Sequence, residues 1–193
     1  MKTKETNCLI AGVGGQGTVL AARVLGAAAM AAGLDVRGSE TIGMAQRGGS
    51  VTSHVRMGKD IASPLIPQGR ADVVLALEPG EALRTIDFLK TGGTFIVCDR
   101  PIVPAVKGDY DGAAAARLLK TCACVVSGED IIDNCGARSV NIALIGAAAA
   151  RGAFPFGFDE IETALSERLN AKFLAINIAA LHYGASLIKG KQL

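Results

Sequence analysis

Hydrophobic and polar positions change period several times along the chain, and the changes predict strands and helices in turn. Residues 8–12 (CLIAG) are an apolar run of strand length. Residues 17–32 place Leu20, Val24, Ala27 and Ala31 on one helical face, Gly33 is a natural stop, and 34–39 read as a second strand. The segment 40–50, ETIGMAQRGGS, has no helical period and is expected to be irregular. It leads into 51–57, where Val51, Ser53, Val55 and Met57 alternate with Thr52, His54 and Arg56. Two unlike faces predict an antiparallel or edge strand. After a loop marked by Pro64 and Pro67 come a buried-type strand at 71–77 (ADVVLAL), a helix at 79–90 and a strand at 93–99 that follows the Gly92-Gly93 turn. Residues 101–112 are looser, a helix is expected near 113–120 and a strand near 122–127, and 137–151, 159–169 and 171–187 read as helices.

This order predicts an α/β chain: a Rossmann-like, three-layer fold with a mostly parallel sheet, an irregular or antiparallel insertion after the second strand, and C-terminal helices. With 193 residues, half of them hydrophobic, and no repeat or linker, residues 1–193 are expected to form one domain. Twenty basic against 18 acidic residues leave a net charge of +2, and aromatic residues make up 4% of the chain, so nothing suggests a nucleic-acid partner. Met1 to Asn7 is polar, and the alanine-rich stretches are interrupted too soon to span a membrane, so a cytoplasmic location is the expectation. Cys8, Cys98, Cys122, Cys124 and Cys135 are an odd set without cluster spacing. Cys8 and Cys98 sit in strand-like runs, where a thiol packs as a small hydrophobe.

The chemistry concentrates in two places. Gly12, Gly14 and Gly17 have the G-x-G-x-x-G spacing, with Gly15 and Gln16 between them. In a strand-to-helix turn, Gly12 would permit the tight bend, Gly14 the approach of a ligand, and Gly17 close packing of helix on sheet. Glu40 lies near the end of the second strand, where an acid that binds ribose hydroxyls is expected. The residues leave two readings open: a dinucleotide site, or a turn whose amides hold some other anion or a partner's carboxylate. The second place is the segment with Glu40, Gln46, Arg47, Gly48, Gly49 and Ser50, expected at the carboxyl ends of the strands, where open sheets bind ligands. Arg47 beside two glycines offers a planar fork of donors to a carboxylate or phosphate. His54 and Arg56 are candidates for an interface, with an exposed position in the sheet as the plainer reading of His54. His182 has no evident partner, and two histidines without paired acids give no metal site.

The stretches AGVGGQGTVLAARVL (11–25), GSETIGMAQRGGSVTSHVRMG (38–58), SPLIP (63–67), ADVVLALEPGEALR (71–84) and NIALIGAA (141–148) resemble the gamma-type subunit of the 2-oxoacid:ferredoxin oxidoreductases, most of all those of indolepyruvate type. The resemblance runs from about residue 7 to residue 150. It implies oxidative decarboxylation of indolepyruvate and other arylpyruvates to aryl-acetyl-CoA, with CoA as cosubstrate and ferredoxin as electron acceptor. It also places thiamine diphosphate, Mg and the iron–sulfur clusters on a large alpha subunit, and no cofactor in this chain. The chain would then be an accessory subunit, inactive alone, whose glycine turn and 40–50 segment wall the active site. A stand-alone nicotinamide- or flavin-dependent oxidoreductase and a purely structural interaction subunit are the competing readings.

Overall fold

The computed structural model describes residues 5–42, 49–103 and 110–188. Within them a six-stranded sheet has the order β2-β3-β1-β4-β5-β6. The strands are β1 (Thr6–Val13), β2 (Asp35–Ile42), β3 (Ser50–Gly58), β4 (Ala71–Ala76), β5 (Leu89–Cys98) and β6 (Cys124–Val126). The pairs β1·β4, β4·β5 and β5·β6 are parallel, and β3 alone runs against its neighbours, antiparallel to both β1 and β2. The expected three-layer, mostly parallel fold with an antiparallel insertion is therefore present. The insertion is not at the edge, however. β3 lies between β1 and β2, because its apolar phase is covered by the helix that joins those two strands.

The apolar strand runs resolve into two faces at the two-residue period. Cys8, Ile10, Val73, Leu75, Ile96 and Cys98 face one core, with α1 (Thr18–Ala31), α4 (Gly128–Cys135), α5 (Val140–Ala150), α6 (Phe158–Arg168) and α7 (Ala171–Ser186). Leu9, Val74, Ala76, Phe95 and Val97 face the other, closed by α2 (Pro79–Thr85), α3 (Gly112–Leu119) and Ile66. Helix α5 is apolar on every side and is buried by α7 as well as by the sheet.

Several boundaries differ from expectation. β2 continues through Glu40 to Ile42, so the segment expected to be irregular begins as strand, held by the Glu40–Ser53 and Ile42–Val51 pairs. The helix expected at 79–90 stops at Thr85, followed by a 3-10 turn at Ile86–Phe88, and β5 already starts at Leu89. Gly92 and Gly93 are not a turn before the strand but a bulge within it: the pairing slips between Ala71 and Val73, and Gly92 has φ of +73°. Helix α4 was not expected. Its signal is Ser127 followed three residues on by Asp130, whose N–H donates to the Ser127 hydroxyl at 3.1 Å.

Candidate site at the carboxyl edge of the sheet

The carboxyl ends of β1, β2, β4, β5 and β6 and the amino end of β3 share one edge. There the glycine turn joins β1 to α1. Gln16 organises it: its Oε1 accepts from the Val13 N–H at 2.8 Å, and its Nε2 donates to the Leu77 carbonyl at 2.8 Å, so one amide ties the ends of β1 and β4 together. A Cβ on Gly12 would lie 2.8 Å from that Gln16 oxygen and 3.2 Å from Leu77 Cβ. Gly12 thus makes room for Gln16 rather than for a bend. Gly17, with φ of +80°, opens α1; a Cβ there would sit 2.6 Å from Asn141 Nδ2, and its carbonyl accepts from that same nitrogen at 3.0 Å. Its close neighbour is therefore α5, not the sheet. The Gly14 N–H donates to the Gly49 carbonyl at 2.9 Å and so is not turned to a ligand.

The turn borders a cleft with two lobes. The larger, about 510 Å³, is lined by Gly15, Gly17, Leu77, Arg100, Arg138 and Asn141. The smaller, about 400 Å³, is lined by Val13, Ser50, Glu78, Glu81 and Tyr110, and Ile102 borders both. Helix α1 points its start into the larger lobe without a side-chain cap, and Arg100 and Arg138 stand exposed beside it. Unfilled N–H groups at a helix start and two guanidinium forks favour an anion.

Of the residues singled out from sequence, the structure brings together Gly12, Gly14, Gly15, Gln16, Gly17, Gly49 and Ser50. Gln46, Arg47 and Gly48 lie outside the described residues. Glu40 is not brought to the turn: β3 intervenes, which puts β2 two strand spacings, about 10 Å, from β1. It lines a separate groove of about 410 Å³ with Arg23, Met30, Gly38 and Arg168. The glycine turn and an acid on β2 therefore do not form the usual dinucleotide pair.

His54 is 7% exposed, not an exposed residue of the sheet. Its Nδ1 accepts from the Ile66 N–H at 3.1 Å, and its ring meets Phe88 edge-on. Burial lowers its pKa below the ordinary value of 6.5. The unfolded chain therefore binds the proton more readily, so the neutral ring's contribution is complete above about pH 6.5 and declines as pH falls below it. On acidification from pH 7 to 5 the wild-type chain should lose stability by up to about 1.4 kcal/mol per pH unit from this group. His54→Gln should flatten that part of a urea-midpoint profile, and an unchanged profile would remove His54 as its source.

Arg56 is spent inside the chain. Its Nε donates to Glu5 and Asn7 at 3.0 and 2.9 Å, and its Nη1 donates to the carbonyls of Ser63 and Leu65 at 2.8 and 3.1 Å, fixing the proline loop against β3. His182 does have a partner: Nε2 lies 2.7 Å from Glu162 Oε1, and its ring stacks on Phe158. Cys8 and Cys98 are buried strand residues; burial, with Asp72 nearby, pushes the Cys8 thiol far above its usual range, and burial pushes Cys98 up to about 11. Among the described residues, no three His, Cys, Asp or Glu side chains converge to hold a metal ion, and no helix is long and apolar enough to cross a membrane.

Sequence reasoning passed over Glu78, Glu81, Tyr110, Arg100, Arg138 and Asn141. Glu78-Pro79-Gly80-Glu81 carried a legible signal, an acceptor at the N-cap with Pro at the first helical position. Asn141 had none, since its partner Gly17 is 124 positions away.

Comparison with known proteins places this architecture. Residues 7–187 match the pyruvate ferredoxin/flavodoxin oxidoreductase family. The chain is 38% identical over 187 residues to the indolepyruvate oxidoreductase subunit IorB of Archaeoglobus fulgidus, covering 92% of each chain. Its fold is also that of the keto/oxoacid ferredoxin oxidoreductase gamma subunit of Geobacter sulfurreducens, with a TM-score of 0.70 at 23% identity over 95% of this chain and 96% of that one. A third likeness, with a TM-score of 0.70 at 24% identity, is to the 2-oxoglutarate:ferredoxin oxidoreductase of Magnetococcus marinus, whose structure has 2-oxoglutarate, coenzyme A and succinyl-CoA bound; it covers 98% of this chain and 32% of that longer one. The chain belongs to the pyruvate ferredoxin/flavodoxin oxidoreductase family, as an accessory subunit of the 2-oxoacid:ferredoxin oxidoreductase kind.

Proposed function

We propose that this chain, as a single domain, is the small subunit of a cytoplasmic, thiamine-diphosphate-dependent indolepyruvate:ferredoxin oxidoreductase. The complex oxidises arylpyruvates to aryl-acetyl-CoA and passes the electrons to ferredoxin, and the chain is inactive without its large partner. The observation that carries the reading is the 38% identity to an indolepyruvate oxidoreductase subunit along 92% of both chains.

Thiamine diphosphate with its Mg supplies an electron sink for decarboxylation, and iron–sulfur clusters supply the electron path; both belong to the partner in this reading. The cysteines of this chain do not fit a cluster. A cluster needs convergent thiolates, whereas Cys8, Cys98, Cys124 and Cys135 are buried on β1, β5, β6 and α4 and Cys122 is alone at the surface. What the chain contributes is a wall. The glycine turn, Gly49 and Ser50 cover the reacting centre, limit water, and orient anionic groups of the substrates. Arg100 and Arg138, beside the open start of α1, suit a 2-oxo-acid carboxylate or a CoA phosphate.

Co-expression with the large subunit tests this. Purified complex should reduce ferredoxin with indolepyruvate and CoA, while either chain alone should not. Arylpyruvate-independent redox activity of this chain with a nicotinamide or flavin would reject the reading. Arg47, flanked by Gln46 and two glycines in sequence, is proposed to reach across the interface or toward a substrate anion. Arg47→Ala should keep the stability of the isolated chain within about 1 kcal/mol, yet lower turnover or raise the oxoacid KM of the complex, with Arg47→Lys affected less. Wild-type assembly and turnover in Arg47→Ala would deny it a role.

A further inference from the structure

At the smaller lobe, two buried carboxylates stand three residues apart at the start of α2. Glu78 is the cap: its Oε2 accepts from the Glu81 N–H at 2.9 Å. Its Oε1 accepts from the Tyr110 hydroxyl and from the Ile102 N–H at 3.4 Å, and the Tyr110 oxygen in turn accepts from the Gly80 N–H at 3.0 Å. Burial, and then the bond to Glu78, keeps the Tyr110 phenol protonated well above its usual range. A short helix needs one such cap, and Glu78 supplies it.

Glu81 is therefore unexplained by capping, yet it is 5% exposed. Withdrawing a carboxylate from water is costly unless its oxygens are used. One is: Oε2 accepts from the Ser50 hydroxyl at 2.5 Å. Oε1 faces the Arg84 Nε at 3.5 Å, a mostly exposed guanidinium whose pairing is weak. The residue before Ser50 is Gly49, whose carbonyl takes the Gly14 N–H at 2.9 Å. An unbroken chain of contacts thus runs from a buried carboxylate on α2, through the start of β3, to the backbone of the glycine turn.

We propose that Glu81 is a positioning residue for the glycine turn. By holding Ser50 it fixes the Gly49 carbonyl that Gly14 needs, and so sets the shape of the wall at 14–17. The inference rests on the reading of that wall as part of the partner's reacting centre. It differs from a plain stability role because its effect is carried by one named amide, Gly14, and by substrate binding in the complex.

The test uses Ser50→Ala, which removes one hydroxyl at an exposed position, with Glu81→Ala and Glu81→Gln beside it. In the isolated chain, amide exchange at Gly14 should speed up about tenfold in Ser50→Ala and Glu81→Ala, the factor for losing one hydrogen bond to a charged group. Glu81→Gln, whose amide oxygen still accepts from Ser50, should restore most of the protection. In the assembled complex the apparent oxoacid KM should rise about tenfold while kcat stays within about twofold, the signature of lost binding rather than lost chemistry. The Ser50→Ala/Glu81→Ala double variant should be no worse than either single one, because both break the same path. Wild-type exchange at Gly14 in a folded Ser50→Ala chain overturns the proposal, as does a wild-type KM accompanying faster exchange. Failure of the functional reading shows separately, as a wild-type complex that does not respond to arylpyruvate, and the exchange at Gly14 then decides the positioning claim alone.

Discussion

Gly146→Ala should strip the chain of much of its stability, with a far larger loss than an alanine at an open glycine causes. A Cβ at Gly146 on α5 would lie 1.8 Å from the Leu181 carbonyl oxygen on α7, and a Cβ at Gly184 on α7 would lie 1.9 Å from the Ala143 carbonyl oxygen on α5. Both obstacles are backbone, which cannot rotate away as a side chain can. The helices would have to part by more than an ångström, which opens voids along a buried seam that also backs the sheet. A cost on the order of 4 kcal/mol or more is expected, against a total stability of about 5–15 kcal/mol. Gly184→Ala should behave alike. Gly152→Ala is the control, since its φ is +66° but nothing lies within 4 Å of the added carbon; the conformational penalty alone is about 1 kcal/mol. Urea midpoints measured for the three variants separate overlap from backbone strain, and a Gly146→Ala midpoint equal to that of Gly152→Ala would show that the helices do not meet as closely as described.

Gly17→Leu is expected to damage both the fold and the complex. The left-handed conformation of Gly17 costs a side-chain-bearing residue about 1–2 kcal/mol. The new carbon would also displace Asn141 and break its bond to the Gly17 carbonyl, another 1 kcal/mol or so. The leucine would then project among residues that line the larger lobe, so assembled turnover should fall by more than about tenfold, beyond what stability explains. Gly17→Ala paired with Asn141→Ala isolates the steric part: the double variant should be less impaired than the sum of the single ones. Gly15→Ala, with φ of +98° and open surroundings, should cost only about 1 kcal/mol and act locally. A Gly17→Leu chain with wild-type stability and turnover would remove the turn from the account.

How much of this was legible in the sequence follows from the range of each interaction. β1, the glycine turn and α1 could be read because an apolar run, a helical period and the punctuation between them are all local. The antiparallel character of β3 was visible in its alternation, but its insertion between β1 and β2 was not, since a two-residue period says how a strand is faced and nothing of its neighbours. That one placement moves Glu40 away from the turn. His54 sat on the polar phase of β3 by type, yet the Ile66 amide and the Phe88 ring bury it, contacts that depend on how the proline loop folds back. The wall residues on later elements, Arg100, Arg138 and Asn141, and the Glu81–Ser50 bond join positions far apart in the chain. Short, polar α4 escaped because eight residues hold too few apolar positions to show a period, leaving Ser127 and Asp130 as its only marker.

The carboxyl edge of the sheet is proposed as the face that meets the large subunit, and backbone amide exchange of this chain, free and in the assembled complex, tests that face directly. The prediction is slower exchange in the complex at residues 14–17, at 77, 78 and 80, and at 100 and 102, with the outer surface of α6 and α7 unchanged. Slower exchange confined to α6 and α7, with the carboxyl edge exchanging as in the free chain, would contradict it.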